Sequence, residues 1–380
     1  MADIDVSFIF PCLNEEKTIA FCLNELKSVL QQTKLKYEII ISDNGSTDKS
    51  IEIANSFGVK VINTPQRGYG AALKNGFAHA QGKYLAFADI DGSYPLEFLP
   101  EMYKTAEETN ADMVVASRMK GKIEPNAMPF LHRYLGTPIL TFLINLLFRG
   151  KLSDCNSGFR LMKRSAYEQW HAASNGMEFA SELLIKALKH KAKIVEIPAG
   201  LRVDKRDCKP HLNTWNDGMR HLLFILSESP RLFEAAGGLL FICFSLLFAA
   251  ASFSSPITIG RMRIFDYHTQ LICISMATIG VQIWLFSAML YLFKSSDTPS
   301  KISGYFINLK EDKLFFIFCC ILLLMVYCFI SVFMTWSSLN FGTLNMLYVI
   351  LRYVYVISVL GSGALGLLIL HIVRNIVRNR

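Results

Sequence analysis

Charge is what this sequence has least of. Only 18% of its 380 residues are Asp, Glu, Lys or Arg, where an ordinary soluble chain carries about 25%. With 52% hydrophobic residues and a mean hydropathy of +0.32, disorder is excluded, and so is a nucleic-acid-binding tail. The nine cysteines include no CxxC pair, which argues against a zinc site or a disulfide frame. Five of them lie in apolar stretches and read as small buried side chains in a reducing compartment. The N-terminus, MADIDVSF, has no basic region and no long apolar run. No cleavable signal is therefore expected, and the first domain is expected to stay in the cytoplasm.

The shortage of charge is local. Residues 1–233 hold 29 of the 39 Lys and Arg and 26 of the 31 Asp and Glu. The first part reads as a soluble domain, 1–233, and the second as a membrane domain, 234–380. The net charge of +8 divides as +3 and +5, which fits basic loops at a membrane face better than nucleic-acid binding. Residues 235–260, 267–293, 314–351 and 353–373 carry no charge. A span needs about 20 apolar residues, and the third run holds a polar turn near Ser337–Asn345. Four spans are predicted, at about 237–255, 268–293, 314–335 and 346–372. Lys294, Lys301, Lys310, Lys313, Arg374, Arg378 and Arg380 then share one side, which the positive-inside rule makes cytoplasmic together with both termini. Gly361-Ser-Gly363-Ala-Leu-Gly366 matches G-x-G-x-x-G, but it lies in an apolar span with no strand before it and reads as close helix packing.

In the soluble part, short apolar runs alternate with helical spacing. Strands are predicted at 6–10, 37–42, 59–62, 84–88 and 113–117, with helices at 15–32, 48–57, 70–80 and 96–109. That alternation implies an α/β domain with a mostly parallel sheet, whose ligands bind beyond the carboxyl ends of the strands. Four polar motifs fall at those ends: Pro11-Cys-Leu-Asn14-Glu15-Glu16, Asp43-Asn-Gly-Ser-Thr-Asp48, Arg67-Gly68-Tyr-Gly70 and Asp89-Ile-Asp91. An ordinary turn and helix cap would account for the second alone. In the third, the glycines would let the backbone approach an anion, with Arg67 adding charge at a helix N-terminus. In the fourth, two carboxylates at i and i+2 concentrate charge that Mg²⁺ or Mn²⁺ with substrate phosphates would neutralise.

This ordered set resembles the family-2 glycosyltransferases of GT-A fold over roughly residues 4–210. The resemblance implies a GT-A catalytic domain followed by an all-α four-helix transmembrane region. It makes Pro11, Asn14, Glu15, Asp43, Arg67, Gly68, Asp89 and Asp91 the nucleotide-sugar site, with Asp89 and Asp91 carrying the metal. Asp154-Cys-Asn-Ser157-Gly158-Phe159-Arg160 is similar to a segment of the polyprenyl-phosphate glycosyltransferases, such as the dolichyl-phosphate glucose and mannose synthases. Asp91-Gly-Ser-Tyr94, Met128–Gly136 and Gly176–Glu182 resemble the glucose branch. Mannose-type synthases often have Gln where Ser93 stands. The run Arg202–His211, with Lys205, Arg206 and Lys209, matches the family's loop over the diphosphate.

The activity implied is metal-dependent, inverting transfer of a hexose, glucose from UDP-glucose, to a dolichyl or undecaprenyl phosphate. Asp91, Asp154 and Arg206 are the candidate catalytic residues, with Asp154 as weak base or organiser. Arg118, His132, Arg133, Ser157, Arg160 and Lys209 are candidates for the acceptor phosphate. The stretches at about 130–149 and 219–233 are too short to span, and lying in the membrane interface would bring a lipid to the site. Expected partners are a nucleotide sugar, a polyprenyl phosphate and the membrane, with no nucleic acid; a homo-oligomer stays open. Two rival readings remain. A glycolipid- or polysaccharide-forming enzyme acting on a hydroxyl would need a true base, and the QxxRW motif of processive synthases is missing. A lipid-carrier flippase fused to the catalytic domain would show intramembrane charges and broken helices, which are sparse.

Overall fold

A computed structural model describes residues 4–206, 214–253, 257–259, 262–293, 298–338, 340–341 and 347–378. The chain divides into two compact units, Met1–Leu226 and Ser227–Arg380.

The first unit alternates strand and helix. In order it runs β1 Val6–Cys12, α1 Ile19–Gln31, β2 Tyr37–Asp43, α2 Ser50–Ser56, β3 Lys60–Asn63, α3 Tyr69–Ala78, β4 Tyr84–Phe87, α4 Leu99–Thr109, β5 Met113–Ser117, α5 Thr137–Phe148, β6 Arg160–Lys163, α6 Arg164–Trp170, α7 Phe179–Lys189, β7 Ile194–Pro198 and α8 Thr214–Ser227. One seven-stranded sheet has the order β3-β2-β1-β4-β6-β5-β7. Every pairing is parallel except the two made by β6.

Side-chain period explains the two cores. Along β1, Val6, Phe8 and Phe10 face one layer and Ile9 the other; β2 and β5 alternate likewise. The first layer is covered by α1, whose Ile19, Cys22, Leu23, Leu26 and Leu30 repeat at helical spacing on one buried face. It also takes in α2 and α4, and the second layer is covered by α3, α5 and α7. Helix α4 stops where Asn110 turns left-handed at φ 52°.

The strand order reverses between β1 and β4. Chain progress goes outward from β1 through β2 to β3, then crosses to β4 on the other side of β1. Such a reversal opens a crevice at the carboxyl ends of the strands, and the loops after β1, β2 and β4 meet there. The antiparallel strand β6 lies between β4 and β5, with Arg160 opposite Phe87 and Val115. Its start, rather than its end, therefore delivers the turn Asp154–Phe159 to that same edge.

The second unit is built of α9 Pro230–Phe253, the hairpin β8 Ile257–Ile259 and β9 Met262–Ile264, α10 Tyr267–Phe293, α11 Lys301–Ile307, α12 Glu311–Ser338 and α13 Leu347–Arg378. Four of these helices, α9, α10, α12 and α13, are long and apolar enough to cross a membrane. Helices α9 and α10 meet backbone to backbone. A Cβ on Gly237 would stand 2.7 Å from Gly280 O, and one on Gly280 2.9 Å from Gly237 O. Gly366, in the G-x-G-x-x-G run, instead packs against the side chain of Leu285.

Candidate functional site

The loops after β1 and β2 are stitched together. Asn14, left-handed at φ 58°, donates its N–H to Ser46 Oγ and accepts from Thr47 N–H through Oδ1. Glu15 N–H reaches Ser50 Oγ, Glu16 N–H donates to Asp48 Oδ2, and Lys49 N–H donates to Glu16 Oε2 across the seam. Pro11, the next-to-last residue of β1, pairs with Ser42. Asp43 is buried and accepts from the N–H groups of Gly45 and Ser46, an Asx turn that fixes its own loop. Asn44 ties this loop to the next, accepting from Gly68 N–H at 2.7 Å and donating to Gln66 O at 2.8 Å. The exposed Arg67 guanidinium lies alongside Gly45.

The glycines flanking Tyr69 have a packing role that differs from the expected one. Gly68 has φ 131°, and a Cβ on it would stand 2.1 Å from Asn175 O. One on Gly70 would stand 2.6 Å from Ser174 O and from Phe179 Cβ. Both let α3 dock on the segment before α7, and that contact requires glycine whether or not an anion approaches.

Asp89 and Asp91 sit after β4 at the crevice. Asp91 Oδ1 accepts from Ser93 N–H and Ser93 O–H, and its Oδ2 faces Arg206 Nη2 at 2.7 Å. Arg206 also reaches Glu15 Oε1 at 3.0 Å and Asp204 Oδ2 at 2.9 Å, so its one guanidinium bridges the loops after β1 and β4. Asp89 Oδ1 accepts from Tyr69 O–H at 2.9 Å. Burial, then the charge of Asp91, push the Asp89 carboxyl up to about 7. Burial also raises Glu15, against the opposing pull of Arg206.

Arg118 follows β5 and is paired with Asp154 in a fork: Nε to Oδ2 at 2.7 Å and Nη2 to Oδ1 at 2.8 Å. Asp154 is fully buried. Burial alone would raise it, but the charge and hydrogen bonds of Arg118 win and hold it below the usual carboxylate range. Both its oxygens are engaged, so it organises Arg118 and is not placed as a base. Glu196, from β7, holds the same turn by accepting from Ser153 N–H and Asp154 N–H.

Two expected acceptor residues point elsewhere. Ser157 is buried and donates its hydroxyl to Ala116 O. Arg160 is fully buried and donates to the carbonyls of Ser157, Ala180 and Cys155. Arg160 opens the antiparallel β6 and Ser157 lies in the turn that leads into it, and both face inward beneath the site. They brace the Asp154–Phe159 turn, and neither lines the cavity at the site. Lys209 lies outside the described residues. His132 and Arg133 start a π-helical turn, His132–Gly136, that leads into α5. Arg133 lies over the ring of its neighbour Tyr134.

A cavity of about 360 Å³ joins these groups. Asp89, Arg118, Tyr69, Tyr94, Asn156 and His132 give it polar lining, while Met128, Leu131, Leu135, Ile139, Met219 and Leu222 give it apolar walls. Leu131, Leu135, Ile139 and Met219 are also among the exposed large hydrophobic residues, with Phe130, Tyr134, Phe142, Leu146 and Leu223 nearby in sequence. A patch of this kind on a folded unit marks an interaction surface. Sequence reasoning missed Tyr69, Asn44 and Glu196. Only Tyr69 left a signal, as a large residue held between two glycines.

Comparison with known proteins agrees with this geometry. The model of glycosyl transferase family 2 matches residues 7–170. The low-salt glycan biosynthesis hexosyltransferase Agl6 of Haloferax volcanii is 34% identical over 76% of this chain and 69% of its own length. A dolichyl-phosphate beta-glucosyltransferase, ALG5C, of Trichomonas vaginalis is 26% identical, over 52% of this chain and 64% of its own. A dolichol-phosphate mannosyltransferase of Pyrococcus furiosus is 29% identical, over 51% of this chain and 55% of its own. Among solved structures, glucosyl-3-phosphoglycerate synthase of Mycobacterium tuberculosis, in complex with Mn²⁺, UDP-glucose and phosphoglyceric acid, is similar in fold. Its TM-score is 0.50 at 20% identity, covering 60% of this chain and 80% of that one. The site at the strand ends and these relatives define a glycosyltransferase. The chain belongs to glycosyltransferase family 2, and it resembles that family's polyprenyl-phosphate sugar synthases.

Proposed function

We propose that this protein transfers a hexose, glucose from UDP-glucose, to a membrane polyprenyl phosphate with inversion at the anomeric carbon. One observation carries the proposal: a single cavity has Asp89 and Arg118 in its polar lining and apolar walls formed by residues that are also exposed. A water-soluble acceptor would have no use for such walls. A lipid phosphate needs both a cationic floor and an apolar approach. The stretches at about 130–149 and 219–233 would lie against the bilayer interface.

Asp89 and Asp91 fit a divalent cation. Burial and the neighbouring charge of Asp91 raise the proton affinity of Asp89, and hard oxygen donors in a pair are what Mg²⁺ or Mn²⁺ takes when substrate phosphates complete the shell. Among the described residues no group of three or more His, Cys, Asp or Glu could hold a metal, consistent with a site that is finished by the donor's diphosphate. When bound, the metal would neutralise charge on the departing diphosphate.

The protein's own groups would do the rest. Asn14, Glu15, Asp43 and Arg67 would wall the nucleotide side. Arg118, oriented by Asp154, and His132 would hold the acceptor phosphate, with Arg133 next to His132 in sequence. The second pKa of a phosphate monoester is near 6, so the acceptor is largely a dianion at pH 7. Its oxygen attacks the anomeric carbon, the bond to the nucleoside diphosphate breaks, and the electron pair leaves with the diphosphate. No base is required, which suits the engaged Asp154. Arg206 would move its charge from Asp91 to the diphosphate. The basic loop at Lys301, Lys310 and Lys313 and the tail from Arg374 support a cytoplasmic catalytic domain with both termini on that side.

Purified full-length protein in lipid nanodiscs, given a panel of labelled nucleotide sugars, Mg²⁺ or Mn²⁺ and polyprenyl phosphate, tests this. Labelled lipid-phosphate sugar is expected, most from UDP-glucose. Transfer only to sugar or lipid hydroxyls would overturn the acceptor. Flipping of the lipid without its synthesis would overturn the activity.

A further inference from the structure

Tyr69 is the first residue of α3, and its backbone has no room to move. Gly68 and Gly70 touch the segment before α7 so closely that neither tolerates a Cβ. Ala71 N–H donates to Asn175 O at 3.1 Å, and Lys74 Nζ reaches Asn175 Oδ1 at 2.6 Å. From this fixed base the ring lines the cavity and its O–H donates to Asp89 Oδ1. On the other side of the carboxylate, a Cβ on Gly158 would stand 2.6 Å from Asp89 Oδ2. Gly158 is itself fixed, donating its N–H to Tyr94 O–H at 2.6 Å. Asp89 is thus held between a phenol and a glycine that come from opposite halves of the sheet.

We propose that Tyr69 is the positioning residue of Asp89: its phenol O–H, seated on Oδ1, fixes the rotamer in which Asp89 offers its remaining lone pairs to a divalent cation. This rests on the metal reading above. A free carboxylate would have to be ordered when the cation arrives; one already held by a rigid donor binds without that loss. Partners of this kind, which touch a ligand and not the metal, typically govern 10–100-fold in metal affinity. Tyr69 touches no metal in this scheme and takes no part in bond making.

The test measures Mn²⁺ binding to full-length protein without nucleotide, from the electron paramagnetic resonance signal of free Mn²⁺. Tyr69→Phe, which keeps the ring and removes only the hydroxyl, is expected to weaken binding about tenfold. The metal concentration giving half-maximal transfer should rise by the same factor. Asp89→Asn should abolish the binding, and Tyr69→Phe should add nothing to it. If Tyr69→Phe lowers Tm but binds Mn²⁺ as the wild type does, while Asp89→Asn does not, Tyr69 only packs and the proposal falls alone. If Asp89→Asn binds normally, the metal reading falls and takes the proposal with it.

Discussion

Arg206 lies across Asp91. Its Nη2 stands 2.7 Å from Asp91 Oδ2, and its Nη1 3.0 Å from Glu15 Oε1. With Ser93 on Oδ1, every oxygen of Asp91 is engaged by the protein itself. A side-chain cation therefore sits where an added one would compete for the same oxygen. Arg206→Met should raise the affinity of the ligand-free protein for Mn²⁺ several-fold, read by titration calorimetry. It should also lower kcat by about 10²-fold, the usual cost of deleting one donor to developing charge. Unchanged metal affinity would contradict the competition.

The elevated Asp89 carboxyl sets a pH dependence. A group raised in the folded state to about 7 binds its proton more tightly there than in the unfolded chain. Its stabilising contribution is therefore complete below the ordinary carboxylate range, near 4, and is lost as pH rises through about 7. Metal-free protein should melt at a higher temperature at pH 6 than at pH 8 by this contribution, and Asp89→Asn should remove that difference. Metal binding needs the ionised form, so Mn²⁺ affinity should rise over the same interval with release of a proton.

Asp154 has the opposite sign. Arg118 holds its carboxyl low, so the stability it adds is present above the ordinary carboxylate range and disappears as pH falls through the depressed value. Asp154→Asn leaves Arg118 buried without its counter-charge and should cost about 3 kcal/mol at pH 7, measured by denaturant unfolding. The gap between the two proteins should narrow below about pH 4.

The apolar walls predict an acceptor effect separate from the donor. Leu135→Glu with Ile139→Lys removes two side chains, each worth about 1.5–3 kcal/mol when fully buried. The KM for long-chain polyprenyl phosphate should rise at least tenfold, while UDP binding, followed by calorimetry, stays unchanged. A loss of UDP binding would place these residues on the donor side.

The strand-end motifs were legible because turns and caps use few residue types. Asp43, Asn14 and the Asp89/Asp91 pair stand at one edge of the sheet, as their positions after apolar runs implied. What sequence leaves open is direction. Ser157 and Arg160 carry the chemistry of phosphate binders, yet an antiparallel strand turns them inward onto carbonyls, and nothing in Asp154–Arg160 announces that reversal. Gly68 and Gly70 read as anion-binding glycines for a related reason. A missing Cβ signals close approach without naming what approaches, and here the neighbour is Asn175 O. Tyr69 was legible as a residue but not as Asp89's partner, because 20 positions, with α3 and β4 among them, separate the two.

The reversal of β6 has an evolutionary consequence. The motifs after β1, β2 and β4 hang from parallel strands, and altering one disturbs the next. The stretch from Arg118 to Phe159 leaves the sheet at the end of β5 and re-enters it at the start of β6, immediately beside its point of departure. Its two ends are pinned by neighbouring strands, and between them the inner face of α5, at Leu140 and Ile144, packs on the sheet. A lineage could vary the outward-facing part of that excursion and inherit the stitched loops after β1 and β2 unchanged.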